Sequence, residues 1–136
     1  MSEENTVGMR VLQISSEATP FAKTGGLADV AGALPDSLGN AGCDCTLVVP
    51  AYREVFEKNL PIKKTDMKFS VPVGKRNLEV TVYSCTLPDQ KHNVFLIGNT
   101  HCFDRDTLYG GTEDYVDNAE RFIFFSRASL ELAARL

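Results

Sequence analysis

The chain has 136 residues, about the length of one domain, and it carries a formal net charge of −4. Hydrophobic residues make up 43% of it and charged residues 24%, proportions typical of a globular protein rather than a disordered one. Because the balance is acidic and no apolar run approaches the ~18 residues of a membrane span, we expect neither nucleic acid nor a membrane as a partner.

The N-terminal segment is polar and acidic, so we predict that residues 1–8 are a disordered leader and that the domain begins at Met9. This segment has neither the basic start nor the apolar core of a signal peptide. The four cysteines are Cys43, Cys45, Cys85 and Cys102. They form no C-x-x-C pair, and His101 beside Cys102 has no further ligands at zinc-like spacing. We therefore predict reduced cysteines, no metal site and a cytoplasmic location.

The first half of the chain predicts a strand, a helix and a second strand. The strands are the apolar runs MRVLQIS (residues 9–15) and CDCTLVVP (residues 43–50). Apolar residues between them recur at helical spacing and should form the buried face of the helix: Leu27, Val30, Ala31, Leu34 and Leu38. Pro35 should kink or restart this helix because it lacks a backbone donor, and residues 40–42 should end it. The pattern predicts a βαβ unit with parallel strands.

The second half predicts a hairpin, a strand and a helix. Apolar residues alternate over residues 69–73 and 78–82, with the turn of an antiparallel hairpin between them. NVFLIGN (residues 93–99) predicts a buried strand. In the last helix, Asp117 and Glu120 have the spacing of a capping box. Its expected apolar face is Phe122, Phe125, Leu132, Ala133 and Leu136. Since no Gly, Asn or Pro ends this pattern, we expect a truncated fragment of a longer domain.

A long loop, SEATPFAKTGG, separates the first strand from its helix. Loops at the carboxyl ends of parallel strands form ligand crevices, and the start of a helix offers unpaired N–H groups. Gly25 and Gly26 would let an anion approach the backbone, and Lys23 would add a positive charge. The spacing is neither G-x-G-x-x-G nor a P-loop. From these residues alone, a phosphate site and an ordinary turn with a solvated lysine both remain open.

The chain resembles the bacterial-type glycogen synthases and plant starch synthases over two segments. The first segment runs from MRVLQISSEATPFAKTGGLADV to VVPAYREV, and K-T-G-G-L-A-D-V is the N-terminal hallmark of those enzymes. The second is CFDRDTLYGGTEDYVDNAERFIFFSRASLEL. The resemblance implies a GT-B fold, in which residues 9–136 are the first part of an N-terminal domain. That domain is an α/β, Rossmann-like, mostly parallel sheet with helices on both faces and a β-hairpin insertion.

The resemblance also implies an activity. The family transfers glucose from ADP-glucose, or from UDP-glucose, to the non-reducing end of an α-1,4-glucan. It does so with retention at the anomeric carbon and without a metal or other cofactor. The expected partners are the nucleotide sugar, the glucan and a C-terminal domain of the same protein, so we expect this fragment alone to be inactive.

Site residues follow from the same resemblance, position by position. Lys23 matches the donor-contacting lysine, and Gly25 and Gly26 match residues beside the phosphate and sugar. Asp29 matches an aspartate of the active-site crevice and is the expected catalytic residue, although any acid is favoured in the first turn of a helix. The remaining residues expected at the cleft are Thr24, Tyr109 and Asn118.

Two alternatives remain open at this point. Asp104 and Asp106 form a D-x-D triplet, the pattern by which other glycosyltransferases hold a divalent cation, but an acidic chain contains such triplets by chance. The function could also be that of a non-catalytic Rossmann-like module that binds a nucleotide or a sugar phosphate. A second Rossmann-like domain with a glutamate pair in the parent protein would decide for the enzyme.

Overall fold

The structure is a computed structural model that describes residues 8–136, so the predicted leader lies outside the described residues except for Gly8. The strands are β1 (Arg10–Ile14), β2 (Asp44–Pro50), β3 (Ile62–Val73), β4 (Arg76–Cys85) and β5 (Asn93–Gly98). The helices are α1 (Gly26–Asn40), α2 (Arg53–Phe56), α3 (Thr100–Phe103) and α4 (Asn118–Ala134). Within residues 8–136, no helix has the length and apolar character needed to cross a membrane.

The strands form one sheet in the order β1-β2-β5-β4-β3. Strand β1 pairs in parallel with β2, and β2 with β5, while β4 pairs antiparallel with β5 and β3. The predicted α/β fold, its parallel βαβ unit and the antiparallel hairpin are therefore confirmed. The hairpin continues the same sheet, and its turn is shorter than expected because Val73 already pairs with Arg76. Gly74 in that turn has a φ of 60°, which glycine adopts readily.

The two long helices lie on opposite faces of the sheet, as predicted. Successive side chains of a strand point to opposite faces. In β1, the side chain of Gln13 donates to the Ala31 carbonyl of α1 over 2.8 Å. Its neighbour Leu12 instead lines a hollow with Ala133 of α4. The carboxyl ends of the parallel strands consequently form one edge between two helical layers, where the loop after β1 emerges.

The predicted buried face of α1 was wrong except at Ala31, which is buried. The buried residues are Ala28, Ala31 and Pro35, whereas the side chains of Leu27 and Val30 are 53% and 64% exposed. The helix also continues through Pro35 without a restart. Because Pro35 has no N–H, the carbonyl of Ala31 lacks its usual partner in the helix, and the side chain of Gln13 replaces that donor. Small residues at the interface allow the helix to lie close to the sheet.

The predicted capping box of α4 was also wrong, although Asp117 does occupy the N-cap position. The carboxylate of Asp117 accepts two hydrogen bonds from Arg105, at 2.7 and 2.6 Å, and these hold the pKa of Asp117 at about 2. Glu120 pairs with Arg76 of β4 instead. The buried face includes Phe125 and Leu132 as predicted. It also contains a charged residue, Arg121, which the apolar pattern did not indicate.

Candidate functional site

The loop after β1 is folded back on helix α1 rather than extended. Ala18 and Ala22 exchange backbone hydrogen bonds of 3.1 Å, which closes a tight turn, and Phe21 is fully buried beneath it. The amide and the hydroxyl of Thr19 both donate to the carbonyl of Ala28 in the first turn of α1, at 3.0 and 2.8 Å. The extra length of this loop therefore forms a hydrogen-bonded turn that supports the residues that follow it.

The loop after β1 packs tightly against α1 at Gly32. A Cβ added to Gly32 would lie 2.6 Å from the backbone oxygen of Thr19. A separation below 3.0 Å would require the backbone of the loop to move. Because Gly32 has no Cβ, the loop can pack directly against the backbone of the helix.

We expect Gly32→Ala to destabilise the chain by about 1–3 kcal/mol, the usual cost of overpacking. Gly39→Ala in the same helix is the matched control, because its Cβ would meet Lys91 at an ordinary 3.6 Å. The control should gain up to about 1 kcal/mol from the higher helix propensity of alanine. Urea unfolding of the two variants and the wild type measures both changes. Equal stability of the two variants would contradict the close packing of the loop on α1.

A buried carboxylate, that of Glu17, lies at the centre of this region. One of its oxygens accepts from the backbone N–H groups of Thr24 and Gly25, at 2.9 and 3.2 Å. The other accepts from the hydroxyls of Thr24 and Tyr109, at 2.7 and 2.6 Å. The residue is only 3% exposed. Glu17 thus joins the Lys-Thr-Gly-Gly turn to a loop more than ninety positions further along the chain.

The surroundings of Glu17 favour its ionised form. Burial raises the pKa of this carboxyl, but hydrogen bonds from Tyr109, Thr24 and Gly25 outweigh it and leave the pKa below its usual value. The effect on the partner is opposite. Burial and the hydrogen bond to Glu17 raise the pKa of Tyr109 to about 12, so the phenol stays protonated and donates. The pair therefore consists of a charged acceptor and a neutral donor over the physiological range.

Lys23 and Asp29 lie together at the surface of the site. The Lys23 Nζ is 2.9 and 2.8 Å from the two carboxylate oxygens of Asp29. Their side chains are 50% and 57% exposed, so the pair faces solvent. The hydrogen bond from Lys23 holds the pKa of Asp29 below its usual value. In this arrangement the ammonium group of Lys23 is partnered by a carboxylate, and an incoming anion would compete with Asp29 for it.

The start of helix α1 is open beside this pair. Gly25 is the N-cap, in an extended conformation that any residue could adopt, and it provides no side-chain cap. A Cβ added to Gly25 or Gly26 would meet no heavy atom of the described chain within 4 Å. The described fold therefore does not itself require glycine at either position. Because glycine has no side chain, the first amides of the helix are accessible to a ligand. They lie at the end of the helix where its dipole favours an anion.

Tyr109 and Asn118 lie at the other side of Glu17. They line an open hollow of about 390 Å³ together with Ser16, Asp114 and Phe122. The hydroxyl of Tyr109 also lies 2.8 Å from that of Ser16. The side-chain amide of Asn118 donates to the Tyr109 carbonyl and its oxygen accepts from Arg121, both at 2.8 Å. Asn118 therefore has a structural role in holding this loop, besides its place on the wall of the hollow.

The D-x-D triplet lies in a different part of the carboxyl edge. Arg53 donates to the carboxylate of Asp104 over 2.7 Å and also pairs with Asp106. The guanidinium of Arg53 thus occupies the position between the two acids. Among residues 8–136, no group of three histidine, cysteine, aspartate or glutamate side chains is arranged to hold a metal ion.

The structure brings the sequence-predicted residues into one region but adds a residue that the sequence analysis did not single out. Lys23 contacts Asp29, while Thr24, Gly25 and Tyr109 meet on Glu17. Glu17 received no role in the sequence analysis. The available signal was an acid that follows a strand and precedes an uncapped helix start, where a carboxylate can accept from free amides.

The comparisons with known proteins agree on one family. The sequence model of the family described as the starch synthase catalytic domain matches residues 10–136. Glycogen synthase 2 of Geobacter metallireducens is 41% identical over 129 residues, covering 94% of this chain and 26% of that protein. Glycogen synthase of Rhodopirellula baltica is 38% identical over 138 residues, covering 94% of this chain and 27% of that protein.

A solved structure shows the same fold. The catalytic domain of starch synthase IV from Arabidopsis thaliana, bound to ADP and acarbose, superposes with a TM-score of 0.80. It is 26% identical, and the match covers 94% of this chain and 26% of that one. The chain thus spans about a quarter of the length of the relatives it matches.

Proposed function

The chain belongs to the starch synthase catalytic domain family, and from that premise we propose that its parent protein is a glycogen or starch synthase. The parent transfers glucose from a nucleotide sugar to the non-reducing end of an α-1,4-glucan, with retention at the anomeric carbon. We propose ADP-glucose as the donor, with UDP-glucose as the alternative. The four free cysteines support a cytoplasmic location for the protein.

One observation carries this proposal: a lysine lies beside an open helix start in a chain that belongs to a glucosyltransferase family. When a glycosidic bond to a nucleoside diphosphate breaks, negative charge develops on the departing phosphates. Preorganised cationic and N–H groups stabilise such charge, and they act without a metal. Lys23 and the amides at the start of α1 are groups of this kind. The ADP in the Arabidopsis complex supports the choice of ligand class.

We propose that the Lys23–Asp29 pair separates when the donor binds. Lys23 then contacts the phosphates, and the Asp29 carboxylate becomes free to accept a hydrogen bond from a hydroxyl of the transferred glucose. Both side chains are at least half exposed, so this change requires no rearrangement of the core. An exposed ion pair contributes only about 0–1 kcal/mol, which a charge-assisted contact to phosphate can exceed.

The remaining groups of the reaction belong to parts of the parent that this chain does not contain. We propose that residues 9–136 are the first part of an N-terminal Rossmann-like domain and form one wall of the cleft. A C-terminal domain supplies the other wall. The hollow beside Tyr109 and Asn118 is the proposed approach for the glucan. Tyr109 lines this hollow and donates a hydrogen bond to Glu17, which lies in the loop that carries Lys23.

The test is glucose transfer by the full-length parent, measured with labelled ADP-glucose or UDP-glucose and glycogen. We expect ADP-glucose to be the better donor and the rate to survive exhaustive chelation, because Lys23 and the helix start take the place of a cation. Loss of turnover in chelator, restored by Mg²⁺ or Mn²⁺, would make Asp104 and Asp106 candidate ligands. Tight nucleotide binding without transfer would favour a non-catalytic nucleotide or sugar-phosphate module instead.

A further inference from the structure

We propose that Glu17 is a positioning residue of the donor site, which fixes the turn that carries Lys23 and couples it to Tyr109. This inference rests on the proposed function of the Lys23 region. Glu17 is buried, and its contacts join two segments that are distant in sequence: the loop after β1 and the loop before α4. The single side chain of Glu17 thus contacts both segments.

The hydrogen bonds around Glu17 match the acceptor capacity of a carboxylate. An ionised carboxylate has about four lone-pair sites and no donor. Here each oxygen receives two donors, namely the N–H groups of Thr24 and Gly25 on one and the hydroxyls of Thr24 and Tyr109 on the other. A buried charge is tolerated only when it is satisfied in this way. The backbone on either side of Thr24 is therefore fixed by contacts that would be lost together.

A direct role in holding phosphate does not fit this geometry. The carboxylate is negative, 3% exposed and already saturated, so it would repel a phosphate and has no free lone pair for a sugar. It acts instead on the backbone between Lys23 and Gly26. By binding the amides of Thr24 and Gly25, it leaves the amides from Gly26 onward for the ligand and sets the position from which Lys23 extends.

The experiment compares Glu17→Ala and Glu17→Gln in the full-length parent. Glu17→Ala should raise the KM for the nucleotide sugar about 10- to 100-fold, because two buried N–H groups lose their acceptor, and should change the KM for glucan less than about threefold. Glu17→Gln should restore most of the affinity. Its amide oxygen can keep both backbone contacts, and the two hydroxyls can turn to accept from its NH₂ group. Glu131→Ala, at an exposed ion pair of α4, is the matched control and should leave both constants unchanged.

The coupling to Tyr109 is tested by a double-mutant cycle with Tyr109→Phe. If Glu17 acts on both segments, the donor KM of the double variant rises by less than the product of the two single-variant rises. Independent effects, or a donor KM within about twofold of the wild type in Glu17→Ala, would overturn the proposal. An equal rise in the KM for donor and for glucan would do the same, because that is the result expected from general destabilisation.

A second measurement separates this proposal from the proposed function. Amide hydrogen exchange at Thr24 and Gly25 is followed in the 136-residue chain, without any substrate. We expect Glu17→Ala to accelerate exchange at these two amides and Glu17→Gln to leave them protected. If the parent transfers no glucose but the exchange behaves in this way, the proposed function fails and the positioning role stands. Unchanged exchange in Glu17→Ala would overturn the positioning role whatever the activity.

Discussion

The 136-residue chain by itself should transfer no measurable glucose to glycogen, while the full-length parent does. The described site offers one lysine, one helix start and one exposed carboxylate on a single wall. We propose that the parent carries further cationic groups and a glutamate in a second domain, as the resemblance to the glycogen and starch synthases implies. Groups that stabilise one transition state act as a unit, so the absence of one set should cost several kcal/mol.

The incomplete site should still bind a nucleotide weakly. Lys23 and the amides at the start of α1 remain in place, so we expect a dissociation constant in the millimolar range or weaker. This corresponds to a binding free energy of about −4 kcal/mol at most. Titration of the chain with ADP, read from the amide signals of Gly25 and Gly26, measures this. Because Leu27 and Val30 are exposed on α1, circular dichroism should first establish that the isolated chain is folded.

The assay compares incorporation of labelled glucose into glycogen by equal amounts of the chain and the parent. A folded chain that turns over within about tenfold of the parent would contradict the two-domain interpretation, since tenfold is only about 1.4 kcal/mol. Adding the separately purified remainder of the parent provides a control. Recovery of activity on mixing would show that the chain was competent and lacked only the other wall of the cleft.

Strands β1, β2 and β5 were predictable from sequence because each is a short, mainly apolar run. Strand β3 begins at Ile62, earlier than the predicted residue 69, because its first half is rich in charged residues and gives no apolar alternation. Strand β5 was predicted at residues 93–99 and runs over Asn93–Gly98. The hairpin followed from its alternation. The pairing of β5 with both β2 and β4 did not, because neither periodicity nor spacing specifies which strands become neighbours.

The buried face of α1 could not be inferred from the size of its apolar residues. Helix periodicity selected Leu27, Val30 and Ala31. Of these three the fold buries only Ala31, and it also buries Ala28, because small residues permit close contact with the sheet. The buried face of α4 likewise could not be inferred from its apolar residues alone. Arg121 is fully buried because its guanidinium donates to the carbonyls of Cys102 and Leu108, and these acceptors exist only once the preceding loop has folded.

The site residues were predictable from the motif, but the contacts that hold them were not. The Lys-Thr-Gly-Gly turn was identified, and its lysine lies beside an open helix start as the anion-site hypothesis requires. The motif gave no indication that Lys23 pairs with Asp29, or that Tyr109 reaches Glu17. Such contacts depend on how the loops pack. Glu17 and Tyr109 are 92 positions apart, so no local sequence pattern indicates their contact.

Lys23→Ala in the full-length parent should weaken binding of the nucleotide sugar by about 1.5–3 kcal/mol, the scale of a charge-assisted hydrogen bond. The pairing in the free site adds to this effect. Without Lys23 the exposed Asp29 carboxylate loses its partner, and because an exposed aspartate is ionised at neutral pH it would repel the donor phosphates. Removing that charge as well should recover part of the loss, so Lys23→Ala with Asp29→Asn should bind the nucleoside diphosphate more tightly than Lys23→Ala alone.

Calorimetric titration with ADP-glucose and with ADP tests this on all three proteins. Lys64→Ala is the matched control, since Lys64 is an exposed lysine of β3, the strand at the opposite edge of the sheet from β1. It should leave the dissociation constant unchanged, because a surface charge further away than a Debye length of about 8–10 Å is largely screened. An unchanged dissociation constant in Lys23→Ala would identify Lys23 as a solvated loop residue. A loss for ADP-glucose with none for ADP would place Lys23 at the sugar rather than at the phosphates.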